Sequence, residues 1–181
     1  MKKENTAMYV LRLAVTLLII AGVMAAALAG VNAITAPKIA QLNYEKTQAA
    51  VSAVLEGGGD EIEAPAMDKV SKMYKGENGY AVEVTPSGFD NTITMMVGVD
   101  NEGNVTGISI ISHTETAGLG AVAAATTSAG EAFRAQFVGL NGNVSVTKDG
   151  GQVEAITSAT ITSRAVCVGV NAALAAVAAI G

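Results

Sequence analysis

The segment from residue 154 to residue 163 concentrates hydroxyl side chains where a predicted strand gives way to a predicted helix. Seven consecutive residues include three threonines and two serines, namely Thr157, Ser158, Thr160, Thr162 and Ser163. Helix N-capping uses one or two such hydroxyls, so it leaves the others unexplained. The free amides and positive dipole end of a helix N-terminus also suit a phosphate. The pattern therefore predicts either a capped helix start or a site for a phosphate-bearing ligand, beside the small side chains of Ser158 and Ala159.

A second segment with chemical potential is the polar loop from His113 to Gly120. Its two glycines, Gly118 and Gly120, allow an unusual backbone path near a ligand. The pair His113 and Glu115 has the residue types of a metal site or an acid–base pair. However, the chain has no second histidine, and no acidic cluster lies nearby in the sequence. Taken alone, the loop favours a structural role over a catalytic one.

Composition narrows the chemistry further. The chain has 181 residues, with Cys167 as its one cysteine and His113 as its one histidine. These counts exclude an intramolecular disulfide framework, a CxxC redox motif and an iron–sulfur or zinc–thiolate cluster built by this chain alone. The chain has 11 basic against 16 acidic residues and only 4% aromatic residues, which argues against a nucleic-acid partner. Redox chemistry would therefore require a bound organic cofactor, and we predict neither a resident metal nor a catalytic side chain.

Taken together, the two segments resemble the family of FMN-binding domains in which the flavin is attached covalently, through its phosphate, to a threonine. The family's attachment pattern is an acidic residue, two variable positions, Ser or Thr, a small residue, Ala and the modified Thr. Residues 154–160 read Glu-Ala-Ile-Thr-Ser-Ala-Thr, so the resemblance implies Thr160 as the acceptor. Two positions differ from the usual pattern, since Glu154 replaces Asp and Ser158 replaces Gly.

The loop from His113 to Gly120 is similar to the family pattern His-x-Glu-Thr-Pro-Gly-Leu-Gly, with Ala117 in place of Pro. Loss of that ring is expected to loosen the loop by about 0.4–1 kcal/mol of backbone entropy. The resemblance implies that this loop and the neighbours of the acceptor line the flavin. Arg164, one turn after Thr160, is either an ordinary exposed arginine or a partner for the phosphate charge. The implied FMN-binding residues are Glu115, Thr116, Gly118, Leu119, Thr157, Ser158, Ala159, Thr160 and Ile161.

The order of parts is similar to that of the G subunits of Rnf complexes, which couple ferredoxin oxidation and NAD⁺ reduction to Na⁺ or H⁺ movement. The stretch from Phe133 to Gly139 is similar as well. This resemblance implies an electron-transfer subunit with covalent FMN, the other complex subunits as partners, and a Mg²⁺-using FAD:protein FMN transferase for maturation. Three alternatives stay open: a stand-alone extracytoplasmic flavoprotein, the C subunit of a Na⁺-translocating NADH:quinone reductase, and an anchored non-redox binding module.

Residues 13–37 form an uncharged, largely apolar run of 25 residues. As a helix this run would measure about 37 Å, and the hydrocarbon core of a bilayer is about 30 Å thick. We therefore predict a transmembrane anchor over 13–37 that ends at Pro37. The competing interpretation is a signal peptide cleaved after the triplet 27–29. The apolar run continues past that triplet to Ile34, which favours the uncleaved anchor.

Charge is distributed unevenly along the chain. Residues 1–37 carry three basic and one acidic side chain, whereas residues 38–181 carry eight basic and fifteen acidic ones. The basic residues before the span weakly outnumber those just after it, and positive charge favours the cytoplasmic side. We therefore predict a single-pass protein of the cell (inner) membrane with a cytoplasmic segment 1–12, a bilayer-embedded anchor and an extracytoplasmic body.

The body is predicted to be an α+β domain with an antiparallel sheet packed by helices. Residues 38–59 are expected to form a linker helix that ends at a glycine triplet, and the FMN-binding domain is expected to follow over 60–181. Residues 60–68 are acidic and contain Pro65, which predicts a loop. Four β-branched or aromatic runs separated by turn residues then predict a meander, over residues 71–75, 80–85, 92–99 and 105–112.

The C-terminal part is predicted to return to helix. Residues 131–138 could form a short helix with both phenylalanines on one face, and residues 144–147 and 153–156 are candidate strands. The final uncharged stretch, residues 165–181, falls short of the roughly 20 residues expected of a membrane span. We therefore expect a buried helix packed on the sheet rather than a second membrane pass.

Overall fold

The computed structural model of the chain describes residues 6–180 and divides them into two units, with the boundary between Tyr44 and Glu45. These residues form three helices and five strands, and two 3₁₀ turns follow the strands, at Gly120–Ala124 and Thr147–Asp149. In chain order the elements are α1 (Thr6–Val54), β1 (Asp60–Ile62), β2 (Val70–Lys75), β3 (Gly79–Val84), β4 (Thr94–Asp100), β5 (Val105–Ser112), α2 (Ser128–Ala135) and α3 (Thr160–Ile180).

The first unit is the apolar part of α1, in which every described side chain from Met8 to Tyr44 is exposed. The helix continues through Pro37, so the expectation that it ends there is wrong. Proline removes one backbone hydrogen bond, but intact turns on both sides can carry a helix past that gap, as happens in many membrane helices. The hydroxyl of Thr35 donates to the carbonyl of Val31 at 2.9 Å and so remains bonded within the helix.

The second unit is built on an antiparallel sheet in which the five strands lie in chain order. The predicted four-stranded meander corresponds to β2–β5, and the α+β class is confirmed. Residues 60–62, expected to belong to a loop, instead form the edge strand β1, paired with β2. Their sequence, Asp-Glu-Ile, has no apolar alternation to signal a strand, and backbone pairing together with a 3.6 Å ion pair between Glu61 and Lys72 holds them in place.

One face of the sheet packs against α3 and forms the main core. Val82 on β3 and Val97 on β4 meet Val166 and Val170 of the helix, and all four side chains are fully buried. Phe133 and Phe137 join this core in a T-shaped contact with ring centroids 5.4 Å apart. The helix predicted over 131–138 is α2, which begins earlier, after the cap residue Thr127, and ends at Ala135. Phe137 therefore lies in the turn that follows the helix.

The opposite face of the sheet receives the last turns of α1. Val51 and Val54 pack there against Tyr74, Ala81 and Met96, and all five side chains are buried. Facing glycines at positions 98 and 107 leave a notch for this helix end. The hydroxyl of residue 106 donates to the carbonyl of Val54 at 2.6 Å, which satisfies one of the carbonyls that a helix C-terminus leaves free.

Two further expectations concern residues after 140. The segments 144–147 and 153–156, predicted as strands, make only one isolated parallel bridge, between Val146 and Val153. The valines of both segments enter the core, which accounts for their strand-like apolar pattern in the sequence. A single bridge of this kind does not extend the sheet. The expectation of a C-terminal helix packed on the sheet is confirmed by α3. Burial inside it raises the pKa of the Cys167 thiol to about 11, as expected of a structural cysteine.

Candidate functional site

The hydroxyl-rich segment and the His113–Gly120 loop are well separated in sequence, yet residues of both line one cleft of about 280 Å³. Seven of the nine residues predicted for the site line it: Glu115, Thr116, Leu119, Ser158, Ala159, Thr160 and Ile161. The other two, Gly118 and Thr157, line a neighbouring cleft of about 620 Å³ together with part of α2. The two sequence motifs are therefore brought together in space, and their residues are shared between two adjacent clefts.

A tight turn just before α3 delivers Thr160 to the cleft. Ser158 lies in this turn with φ at +62°, in the left-handed region that favours glycine. The position is the one at which the family pattern carries glycine, so the backbone conformation gives a physical reason for that residue. Ser163 braces the turn, since its Oγ accepts from the amide of Ile156 at 3.0 Å and donates to the carbonyl of Ala159 at 3.0 Å.

The hydroxyls of the segment divide into engaged and accessible groups. Thr162 and Ser163 are buried, and both bond to other parts of the chain. Thr157 and Ser158 are exposed, and Thr160 is half-buried at the cleft wall. Bonds to buried parts of the protein thus account for Thr162 and Ser163, and Thr160 Oγ1 accepts one bond from the exposed side chain of Lys148 while its own proton can still be donated.

Glu115 ties together the three segments that form the cleft. Its carboxylate is buried, with only 7% of the residue exposed. One oxygen accepts from the amide of Phe89 at 2.8 Å, and the other accepts from the hydroxyl of Thr162 at 2.5 Å. Gly120 has no side chain, and a Cβ there would collide with both the Glu115 carboxylate and the Thr162 hydroxyl. The predicted site residue Glu115 therefore holds the cleft together through bonds within the protein.

A cation that sequence reasoning did not identify lies next to Thr160. The ammonium of Lys148 donates to Thr160 Oγ1 at 3.2 Å. The next residue, Asp149, makes a two-point ion pair with Arg164, with distances of 2.7 and 2.6 Å. Arg164 holds the pKa of the Asp149 carboxyl below its ordinary value, mainly by hydrogen bonding, and its own pKa is raised in return. Arg164 therefore bonds Asp149 directly, while Lys148 contacts the hydroxyl of Thr160.

Apolar side chains form the other walls of the cleft. Phe89, from the turn between β3 and β4, is 66% exposed, and Ile161 and Leu119 are 50% and 40% exposed. Phe89 was not among the predicted site residues. Its one sequence signal is that it is a large aromatic residue in a turn of a chain with few aromatic residues. Exposed aromatic and branched side chains at a concave site are typical contacts for a flat ring.

His113 from the polar loop and Gln136 from the stretch Phe133–Gly139 have structural surroundings. His113 does not line the cleft, and its Nδ1 is buried without a hydrogen-bond partner among residues 6–180. Gln136 bonds both ways with the backbone of Glu154, accepting from its amide at 2.7 Å and donating to its carbonyl at 3.3 Å. This pairing fixes the start of the hydroxyl-rich segment against the end of α2.

The donor set suits a ligand with a phosphate at one end and a flat apolar ring at the other. A hydroxyl, an ammonium and a helix N-terminus meet at Thr160, and apolar walls lie on the other side. Within the described part of the chain, no three His, Cys, Asp or Glu side chains come together as a metal site. The cleft thus fits an organic phosphate such as FMN.

Comparison with known proteins identifies the family of the chain that carries this cleft. The FMN-binding domain family matches residues 88–175. The chain is 33% identical to the G subunit of the Na⁺-translocating ferredoxin:NAD⁺ oxidoreductase complex of Acetobacterium woodii, over 90% of this chain and 88% of that protein. It is also 33% identical to the G subunit of the ion-translocating oxidoreductase complex of Methanosarcina acetivorans, over 84% and 86% of the two chains.

A third relative agrees over a shorter stretch. The G subunit of the proton-translocating ferredoxin:NAD⁺ oxidoreductase complex of Clostridium ljungdahlii is 38% identical over 52% of this chain and 51% of its own length. The matched residues 88–175 contain Phe89, the whole His113–Gly120 loop, Lys148 and Thr160. The resemblance inferred from the two sequence motifs is therefore confirmed at the level of the family.

Proposed function

Because the chain belongs to the FMN-binding domain family, as a relative of the G subunits of ion-translocating oxidoreductase complexes, we propose that it is the electron-transfer subunit of such a complex and carries FMN covalently on Thr160. The complex would couple ferredoxin oxidation and NAD⁺ reduction to the movement of Na⁺ or H⁺. The observation that carries the proposal is the position of Thr160: its hydroxyl is accessible, lies in the cleft and contacts Lys148.

Each part of the cleft has a distinct role in this proposal. Thr160 Oγ1 would hold the phosphate as an ester, and the first amides of α3 and Lys148 would face its charged oxygens. Phe89, Leu119 and Ile161 would exclude water from one side of the ring. Glu115 would keep the loop, the turn before β4 and α3 in register through its two hydrogen bonds. When bound, FMN supplies one- and two-electron redox chemistry, which joins a two-electron couple to one-electron carriers.

The remaining predicted site residues support this arrangement from the two clefts. Thr116, Ser158 and Ala159 line the cleft beside Thr160, and the small side chains of Ser158 and Ala159 would let the phosphate approach. Gly118 and Thr157 line the neighbouring cleft, which would receive whatever part of the ligand extends past Leu119. A tether through the phosphate would leave the ring free to shift between these surfaces.

The apolar part of α1 supports a membrane location. Residues 8–44 are exposed and belong to a helix long and apolar enough to cross a bilayer. We propose that it spans the membrane once, with residues 1–12 in the cytoplasm and the flavin domain outside, where a covalent tether would prevent loss of the cofactor. An FAD:protein FMN transferase would then be the maturation partner.

Ion movement is assigned to partner subunits in this proposal. Residues 13–37 contain no acidic or basic side chain, and ion paths through membranes are built from such groups. The names of the relatives specify Na⁺ in one case and protons in another, although both are G subunits. The chain's own contribution would be to carry electrons, not to select the ion.

The test is to produce the full-length chain with an FAD:protein FMN transferase and to separate it on a denaturing gel under ultraviolet light. The wild-type band should fluoresce, Thr160→Ala should not, and Lys72→Met, on β2 and outside both clefts, should behave as wild type. Membranes that contain the partner subunits should reduce NAD⁺ with reduced ferredoxin only when the wild-type or Lys72→Met chain is present. A fluorescent Thr160→Ala band would refute the site, and full ferredoxin-dependent activity with Thr160→Ala would refute the electron-transfer role.

A further inference from the structure

We propose that Lys148 binds the phosphate at Thr160 and that Arg164 is a positioning residue that acts on it through Asp149. The inference rests on the proposed function, because it concerns the attachment of FMN to Thr160. It assigns a role to three residues of which only Arg164 stood out in the sequence. It also explains why the ion pair lies where it does, one helical turn from the acceptor.

The contact between Lys148 and Thr160 carries the first step. The ammonium has three donors, and one of them reaches Thr160 Oγ1 at 3.2 Å. The two other donors can face oxygens of a group attached to that hydroxyl. A phosphodiester at this point carries one negative charge, and a lysine ammonium is a common partner for such a charge.

The surroundings of Lys148 explain how an exposed side chain is kept in place. Lys148 belongs to the 3₁₀ turn Thr147–Asp149, whose first amide donates to the carbonyl of Val153 at 2.8 Å. Asp149 fixes the turn to α3 through its two-point contact with Arg164. Because Thr160 and Arg164 are one turn apart on the same helix, the ion pair sets the distance between the acceptor and the lysine.

The charge around the cleft makes this cation important. Among the described residues that line the cleft, Glu115 is the only one of a charged type, and it is acidic. Arg134 is bonded to the carbonyls of Ala123 and Ala125, and Arg164 to Asp149. Lys148 is thus the basic side chain in contact with the acceptor, and it would offset a new negative charge close to a carboxylate.

The covalent step involves no change in oxidation state. A bond forms between Thr160 Oγ1 and the phosphorus of the FMN half of FAD, and the P–O–P bond to the AMP half breaks. AMP leaves with the bridging oxygen, and the hydroxyl proton passes to solvent. Lys148 would stabilise the charge on the phosphate oxygens during this exchange and in the product.

The first experiment measures the rate of FMN addition to the full-length chain by intact mass, with purified transferase, FAD and Mg²⁺. We expect Lys148→Met to slow addition about fivefold, the size of effect typical of an exposed charged contact. Lys148→Arg should retain most of the rate because it keeps the charge. Lys72→Met removes an exposed lysine of β2 that lines neither cleft. It is the matched control and should react as wild type.

The second experiment tests whether Arg164 acts through the lysine. Arg164→Met and Asp149→Asn should each slow addition by about twofold to threefold, and the double variant Lys148→Met/Arg164→Met should be no slower than Lys148→Met alone. Fully additive effects would contradict the positioning role. Phosphorus NMR of the finished adduct gives a readout separate from rate: the phosphodiester resonance should shift in Lys148→Met and not in Lys72→Met.

The two levels of the account fail differently. If the wild-type chain takes up no FMN, the proposed function is wrong. If the wild type is modified but Lys148→Met is modified at the same rate and gives the same phosphorus resonance, the proposed role of Lys148 is wrong and the function stands.

Discussion

Helices α1 and α3 are both long and apolar enough to cross a bilayer, yet their side chains meet very different surroundings. From Met8 to Tyr44, α1 exposes every described side chain, including many large aliphatic ones. In contrast, α3 buries a stripe that includes Val166, Val170 and Val177. The same apolar composition therefore suits a protein core in α3 and, under the proposed topology, a bilayer around α1.

The periodicity and the volume of the apolar side chains distinguish the two helices more clearly than their hydropathy does. The stripe on α3 recurs every three or four residues and consists of small side chains that fit the sheet. At Gly169 even a Cβ would come within 3.0 Å of Met95 and Pro86. The apolar residues of α1 occur all around the helix, as expected of a helix surrounded by lipid. Pattern and side-chain volume, rather than mean hydropathy, predict which helix joins the domain.

The largest effect expected from this comparison comes from a lysine placed in each helix. Val170→Lys should destabilise the domain by about 4 kcal/mol or more, because an unpaired charge would enter the core. Met24→Lys should leave the domain folded but disfavour membrane insertion by about 3 kcal/mol. Thermal unfolding of the domain and retention in carbonate-washed membranes measure the two effects. A stable Val170→Lys domain would mean that α3 is not a core helix.

The second effect concerns the thiol in the buried stripe. With a pKa of about 11, Cys167 should have about 100-fold less thiolate at pH 8 than a thiol of ordinary pKa near 9. Its alkylation by iodoacetamide should be correspondingly slow and should become fast on unfolding. Val168→Cys in a Cys167→Ala background, at the exposed neighbouring position, is the control and should react quickly.

The same thiol has a consequence for stability at high pH. Since its pKa is raised on folding, its contribution to stability is fully present below about pH 9 and is lost as pH rises through about 11. In the alkylation experiment, equal rates for Cys167 and the Val168→Cys control would show that the buried stripe of α3 is open to solvent.

The third effect tests where the exposed part of α1 gives way to its buried last turns. Gly98→Ala would drive a Cβ into the carbonyl of Val54 and its hydrogen bond. We therefore expect a destabilisation of about 1–3 kcal/mol. Gly107, on the adjacent strand β5, is paired with Gly98, and a Cβ at Gly107 would have its nearest neighbour, Val54 Cγ1, at 3.8 Å. Gly107→Ala should therefore change stability by less than about 0.5 kcal/mol. Chemical denaturation compares the two, and equal effects would argue against docking of the last turns of α1.

The smallest effect lies at the start of α3. Ser158 has a left-handed backbone conformation, so Ser158→Gly should relieve strain and stabilise the domain by about 0.5–1 kcal/mol after the entropy of glycine in the unfolded chain is subtracted. Ser158→Ala retains the strain and should give no gain. Denaturation midpoints of the two variants decide the point, and a gain for the alanine variant would place the effect elsewhere.

The sequence predicted some parts of this molecule well for identifiable reasons. The runs that correspond to β2–β5 are separated by clusters of turn residues, so local pattern was sufficient to locate them. Edge strand β1 was missed because its polar residues are held by pairing with β2 and not by an apolar face. Pro37 was misread because a local rule about helix ends is overridden within a long continuous helix.

The candidate site was predictable only in part. Resemblance to the family identified Thr160 and the loop that meets it, although their separation in sequence gives no direct sign of contact. Lys148 and Phe89 could not be found in that way, because Lys148 contacts Thr160 from a 3₁₀ turn and Phe89 lines the cleft from a strand connection, and neither segment carries a motif. Their positions depend on tertiary contacts, above all the Asp149–Arg164 ion pair and the bond from the Phe89 amide to Glu115.

The central claim is that the hydroxyl of Thr160 carries FMN, and tandem mass spectrometry of peptides from the membrane-isolated protein tests it most directly. The account predicts one FMN phosphoryl group on the peptide that contains residues 154–163, with fragment ions that place it on Thr160. An unmodified Thr160, or the group on Thr157 or Ser158, would contradict it.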